Sequence, residues 1–432
     1  MRHRSVMIRF VWVFALSLAT GSASGQLLVG PWVSESDRAI DAARKTDLRV
    51  IVMDANGRPA GGASVRIEQV RCTYHVGLVL PASGWPEQGL GAQTHTEFWR
   101  CFNAVSLERM TDWPTLQPEA GGGLDAGRVA LLQQTLDQAE SLGMFVRWGP
   151  MVSADPGRIP GWAAKLQGEA LAEAVKGYSE KIYERFSGRV GQFDVYTQTL
   201  AHGFVEDKAG VSVVRQLYGS VPVRSSGALA CARFDEALDI QKMLKVQRRL
   251  TAMREAFIPV QMVALDHTFG GRLERRSLVR LLSKIDQINK PVVISGLTVG
   301  GDSEVSAAIN LETVLRTLME RPNVQGVWFA GLNADLAIDP SGALIDDMGL
   351  PTPSGRVIDR LYHSNWRKDI ETSADELGNV RARVFAGDYR VTATLADGTT
   401  CEAEVHLVKS VDPQVVLLEP LRPGVPMEML AE

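Results

Sequence analysis

The sequence predicts an α/β chain built around a (β/α)8 barrel, with small β-structure contributed by both ends. Three observations carry this reading. Eight short apolar runs alternate with longer amphipathic segments through the middle of the chain. Two-residue alternation punctuated by turn dipeptides occurs before and after that stretch. No GxGxxG follows the first run, which disfavours a doubly wound nucleotide-binding sheet.

The eight runs are HVGLVL (75–80), FNAVS (102–106), MFVRWG (144–149), QFDVYT (192–197), ALACARF (228–234), VQMVAL (260–265), PVVISG (291–296) and VQGVWFA (324–330). Segments of helical period lie between them at 126–143, 168–186, 238–256, 274–288 and 310–320. In a barrel of this kind the chemistry gathers at the C-terminal ends of the strands, although the barrel alone specifies no function. Before it, a short helix over 35–45 precedes LRVIVMDANGRPAGGASVRIEQV, which reads as a β-hairpin turning at Asn56-Gly57. After it, 380–408 alternates again, with turns at Gly387-Asp388 and Asp397-Gly398. Neither end has strands enough for a sheet of its own, so the two are expected to pack together as a small sandwich. The expected divisions are a leader at 1–25, a β-hairpin module at 26–73, the barrel at 74–365 and a β module at 366–432.

Length and composition fit one large domain and a smaller one: 432 residues, 45% apolar and 22% charged. A formal charge of −4 offers no chain-wide basic character for a phosphate backbone, so no nucleic-acid partner is expected. Arg2, His3, Arg4 and Arg9 precede the apolar run 10–20 and the small residues GSASG, the pattern of a secretory signal cleaved near Gly25. Export follows as an expectation, to the periplasm, envelope or exterior, with no membrane span in the mature chain. Cys72, Cys101, Cys231 and Cys401 lack CxxC spacing, so neither a metal site nor a cofactor is predicted, while disulfides stay permitted.

The second run carries more. FNAVSLERMTDWPTLQPEAG resembles the FNxVTxENxMKWxxxEPxxG signature of glycoside hydrolase family 10, the endo-1,4-β-xylanases, through Phe102, Asn103, Val105, Glu108, Trp113, Pro118 and Gly121. The order continues with MFVRWGP, Pro160-Gly161-Trp162, FDVYTQT, ALDH and VVISGLT where the family has its GHxLxW, PxW, WDVxNE, QxH and xITELD elements. The resemblance spans about residues 74–362. It implies a retaining glycosidase with one glutamate as acid/base after the fourth strand and another as nucleophile after the seventh. Such a mechanism needs two carboxyl groups about 5 Å apart, one to protonate the leaving oxygen and one to attack the anomeric carbon. In this sequence those positions fall on Gln198 and Gly296. Neither side chain can exchange a proton near neutral pH.

The surrounding sugar contacts implied by the resemblance also change. Arg109 stands for an asparagine, Asp112 for a lysine, Gly149 for a histidine, Thr197 for an asparagine, Leu265 for a glutamine and Ala330 for a tryptophan. Trp113, Asp194, His267 and, in one register, His202 persist. Asp194 reads as structural. The ligand-binding candidates are therefore Trp113, His267, Arg109, Asp112, Trp148 and His202, the tryptophans as flat apolar platforms for a sugar face. Acids relocated to loops are also weighed as catalysts: Glu206 after the fourth strand, and Asp302 and Glu304 after the seventh, with Asp266 and Asp112 near strand ends. The sequence thus predicts an exported xylanase-like barrel that has lost double-displacement chemistry and holds a β-linked poly- or oligosaccharide or another partner. The alternatives are an active β-glycanase with relocated acids and an envelope scaffold that binds no sugar.

Overall fold

A computed structural model describes residues 30–85, 98–367 and 369–420. The leader lies outside the described residues. Fifteen strands are described: β1 (Lys45–Val52), β2 (Ser64–Cys72), β3 (His75–Val79), β4 (Ala104–Ser106), β5 (Phe145–Ser153), β6 (Gln192–Thr197), β7 (Leu229–Phe234), β8 (Met262–Phe269), β9 (Val292–Val299), β10 (Val324–Phe329), β11 (Ile370–Ser373), β12 (Asn379–Phe385), β13 (Gly387–Thr394), β14 (Thr400–Leu407) and β15 (Gln414–Leu418).

Strands β3 to β10 close a parallel barrel, β10 pairing with β3. Each of the eight predicted runs supplies one of these strands. Outward-facing Val76, Leu78, Val146, Phe193, Val263 and Ile294 pack on the helices in one large core. Inward-facing Val79, Ala104, Cys231, Met262, Ala264, Val293 and Trp328 form a separate apolar interior. Gly77 makes room there, because a Cβ at 77 would lie 2.3 Å from the Trp328 indole. The five predicted helices appear at Ala126–Ser141, Gly168–Phe186, Ile240–Glu255, Arg275–Leu282 and Glu304–Met319. Two helices between β6 and β7, Phe204–Ala209 and Val211–Arg224, were not anticipated, since Gly210 and Pro222 interrupt their pattern.

The termini combine. One sheet has the order β12-β1-β15 and the other β11-β2-β13-β14, and Val50, Val52, Val65, Ile67, Val391 and Leu418 share the core between them. The expected N-terminal hairpin does not form. β1 pairs with β12 and β15, β2 pairs with β11 and β13, and the turn at 53–59 carries the chain from one sheet to the other. Alternation fixes which face of a strand is buried but not its neighbour, and splitting β1 from β2 lets their apolar faces meet across the sandwich. Gly387 likewise passes the chain between sheets, whereas Asp397-Gly398 closes a true hairpin of β13 and β14. The N-terminal helix, Pro31–Arg44, lies against the barrel, where Asp37 meets the buried Arg316, itself paired with Glu312. The four cysteines are unpaired.

Candidate functional site

Alternation along β5 turns Phe145 and Arg147 into the barrel and Val146 and Trp148 toward the helices. Arg147 has no solvent exposure. Its guanidinium grips both oxygens of Asp194 and donates from Nη1 to Ser106 Oγ at 3.1 Å, Glu108 Oε2 at 3.1 Å and the Ser295 carbonyl at 2.9 Å. Above it, Arg233 at the end of β7 donates to Glu108 Oε2 at 2.7 Å, Asp266 Oδ2 at 2.8 Å and Asp235 Oδ1 at 3.0 Å. Two arginines and four carboxylates therefore pave the barrel mouth.

Burial opposes every charge in this layer, and pairing decides most of them. Burial lowers the Arg233 pKa, but Glu108, Asp235 and Asp266 more than compensate and hold it well above its ordinary value. Burial raises the Glu108 pKa, yet Arg233 and Arg147 bring it below the usual carboxylate value. Asp266 goes the other way: burial, with Glu108 and Asp235 nearby, outweighs Arg233 and lifts its carboxyl from 3.8 to about 7.

The two positions that the resemblance pairs with catalytic glutamates differ in surroundings. A Cβ at Gly296 would stand 2.1 Å from Asp266 Oδ2, so the carboxyl of the neighbouring strand fills that space. Gln198 follows β6 with a left-handed backbone, φ 61°, and its Oε1 accepts a hydrogen bond from Ser153 Oγ at 2.9 Å. At Gly149 a Cβ would lie 2.1 Å from the Glu108 Cα, so the segment after β4 occupies that corner as well. His267, at the end of β8, sets Nδ1 3.2 Å from Glu236 Oε2, and its ring meets Phe269 edge-on. Burial keeps this imidazole below its ordinary pKa, against the pull of Glu236. Glu236 is itself left-handed, φ 49°.

The remaining candidates scatter. Trp113 and Trp148 are corrected: they are 2% and 0% exposed, Trp113 stacked on Tyr178 and Trp148 packed on Phe186 and Phe193, so neither presents a face to a ligand. Alternation sends Trp148 outward because Arg147 takes the inward place. Arg109 donates to the carbonyls of Ala330 and Leu336, at 3.0 Å each, which straps the β4 loop to the β10 loop. Asp112 accepts from Thr115 Oγ1 at 2.8 Å at the start of a short helix. His202 is exposed on the loop after β6. Glu206 is not at the mouth with Asp266; it pairs with Arg249 on the helix after β7. Asp302 and Glu304 are exposed at the start of the helix after β9.

Sequence reasoning missed Arg147, Arg233 and Glu236. The first two were detectable, because each stands two residues beyond an inward apolar residue in a run that is otherwise apolar. Among the described residues no cluster suits a metal ion. A cleft of about 930 Å³ lies at the opposite end, between barrel and sandwich, lined by Tyr74, Trp99, Phe102, Trp366 and His406.

An eight-stranded parallel barrel with its charged layer at the strand ends invites comparison with solved enzymes. Xylanase 10B from Thermotoga petrophila, solved in complex with xylobiose, superposes with a TM-score of 0.55 at 15% identity, covering 67% of this chain and 94% of that one. A thermostable mutant of xylanase Xyn10A from Cellvibrio japonicus gives 0.56 at 12% identity, covering 67% and 97%. The fold is that of a family 10 xylanase barrel. Among curated proteins, the anti-sigma-I factor RsgI6 of Acetivibrio thermocellus is 22% identical over 388 residues, 84% of this chain and 47% of that protein. Endo-1,4-beta-xylanase 1 of Arabidopsis thaliana is 20% identical over 361 residues, 82% of this chain and 37% of that protein. The chain thus spans about half or less of the length of these curated relatives. No protein-family model matches it.

Proposed function

We propose that this xylanase-like barrel is an exported protein that holds a β-linked oligosaccharide at its mouth without cleaving it by double displacement. The observation that carries the reading is the Asp266 carboxyl standing where a side chain at Gly296 would begin, bound to Arg233. A retaining mechanism needs a free carboxylate on one side of the anomeric carbon and a proton donor on the other. Here Glu108, Asp194 and Asp266 are engaged by arginines, and the fourth strand ends in a glutamine. What remains is a polar floor of fixed donors and acceptors, suited to sugar hydroxyls. A relative named as an anti-sigma factor rather than as an enzyme supports a recognition role for such a barrel.

One observation favours a second reading. An acid with a pKa of about 7 is a competent proton donor at neutral pH, so Asp266 is the relocated acid with the best physical claim to hydrolysis. The experiment measures binding of xylo-oligosaccharides and other β-glycans by calorimetry beside reducing-end release from the polymers. Saturable binding without new reducing ends is expected. Reducing ends that disappear in Asp266→Asn would establish the second reading, and no binding to any glycan would leave an envelope scaffold. A gain-of-function comparison must remove Asp266 together with Gln198→Glu and Gly296→Glu, because the new side chain at 296 needs that space.

A further inference from the structure

The outer surface of the barrel is not electrically uniform. Residues 240–290 contain eleven Lys and Arg against four Asp and Glu, in a chain whose formal charge is −4. Among these eleven, Arg249 alone is ion-paired, to Glu206, among the described residues. Lys242, Lys245, Arg248, Arg276, Arg280 and Lys290 are exposed. They belong to the consecutive helices that follow β7 and β8, Ile240–Glu255 and Arg275–Leu282, and to the turn before β9. Gln247 on the first donates to Gln287, just beyond the second, at 2.8 Å, which holds the two segments side by side.

Apolar side chains stand among these cations. Ile240 and Leu244, one helical turn apart, are 47% and 40% exposed, and Phe257, just past the end of the same helix, is 81% exposed. Exposed apolar groups framed by unpaired basic ones suit a lipid interface, where rings and aliphatic chains enter the headgroup layer and the cations meet its phosphates. A folded soluble polyanion or nucleic acid would use the charges but not the apolar groups.

The N-terminal helix meets the same face. The described chain enters the fold at Pro31, and Trp32 lies under the Arg275 guanidinium, 4.7 Å from cation to ring centre. The sequence twelve residues before Trp32 ends the apolar run 10–20, itself preceded by Arg2, Arg4 and Arg9. The cleavage expected near Gly25 precedes Trp32 by only seven residues in sequence, so export would release the chain at a membrane surface.

We infer that the face formed by helices Ile240–Glu255 and Arg275–Leu282 docks on an anionic lipid surface and orients the barrel on the membrane. Each cation near such a surface strengthens attachment several-fold at moderate ionic strength, and salt screens the effect. The test is sedimentation of the full chain with phosphatidylcholine vesicles, with and without phosphatidylglycerol, at low and high salt. Stronger binding to the anionic vesicles, lost at high salt, is expected. Lys245→Glu/Arg248→Glu/Arg276→Glu/Arg280→Glu, which moves eight units of charge, should abolish that preference. Lys245→Gln/Arg248→Gln, which removes charge without adding repulsion at solvent-exposed positions, should lower it by about tenfold. Equal binding to both vesicles overturns the inference. So does a preference that survives either variant, since it would then come from the leader, and so does capture by heparin with no preference among vesicles.

Discussion

At the scale of single residues, the exchange of space between Gly296 and Asp266 has measurable consequences. Gly296→Ala drives a methyl group into Asp266 Oδ2 and pushes that carboxyl off Arg233. The substitution should cost about 2 kcal/mol in urea unfolding, and most of it should be recovered in the Asp266→Gly background, a coupling that independent sites would not show. Arg233 is a harsher case. Arg233→Met leaves Glu108 and Asp266 facing each other in a buried layer, and a loss of about 3–5 kcal/mol is expected.

Asp266 also ties stability to pH. Its carboxyl titrates near 7 in the folded chain against an ordinary 3.8, so the folded state binds more protons than the unfolded state between those values. The contribution is full below about 4 and is lost as the pH rises toward 7. In Asp266→Asn, the fall in stability across that window should flatten, as read from urea midpoints at successive pH values. An unchanged slope would mean that Arg233 holds Asp266 ionised throughout.

At the scale of elements, the seating of one loop on one strand decides the shape of the mouth. A Cβ at Gly149 meets the backbone of Glu108, which cannot swing aside as a side-chain tip can. Gly149→Ala should therefore displace the segment after β4 and destabilise the chain by about 3 kcal/mol, with loss of the Arg147–Glu108 contact visible as a changed pH response. In the sandwich, Ile67→Ala on β2 leaves a cavity facing β1 and should cost about 2–4 kcal/mol by denaturant unfolding.

At the scale of the whole molecule, the two ends of the chain are partners. β1 lies between β12 and β15, and β2 between β11 and β13, although about 300 to 370 residues separate the paired positions in sequence. Deleting residues 366–432 removes every strand that pairs with β1 and β2 and uncovers Val50, Val52, Val65 and Ile67. The truncated chain should bind a hydrophobic dye and lose solubility, whereas a barrel independent of its sandwich would stay soluble with unchanged near-ultraviolet dichroism.

The sequence by itself determined the barrel, because eight buried parallel strands must appear as apolar runs and the helices between them must carry a 3.6-residue period. It also put Gln198 just after the fourth strand, where it stands, and Gly296 at the end of the seventh, whereas β9 runs on to Val299 and holds Gly296 within it. Only the tertiary structure decided what surrounds them. Asp266 filling the space at Gly296, Arg147 and Arg233 gathering Glu108, Asp194 and Asp266, and the burial of Trp113 and Trp148 all depend on contacts between residues far apart in the chain. The split of β1 and β2 between two sheets depends on them as well. Periodicity reports which face of an element is buried, and it carries no information about which distant face comes to cover it.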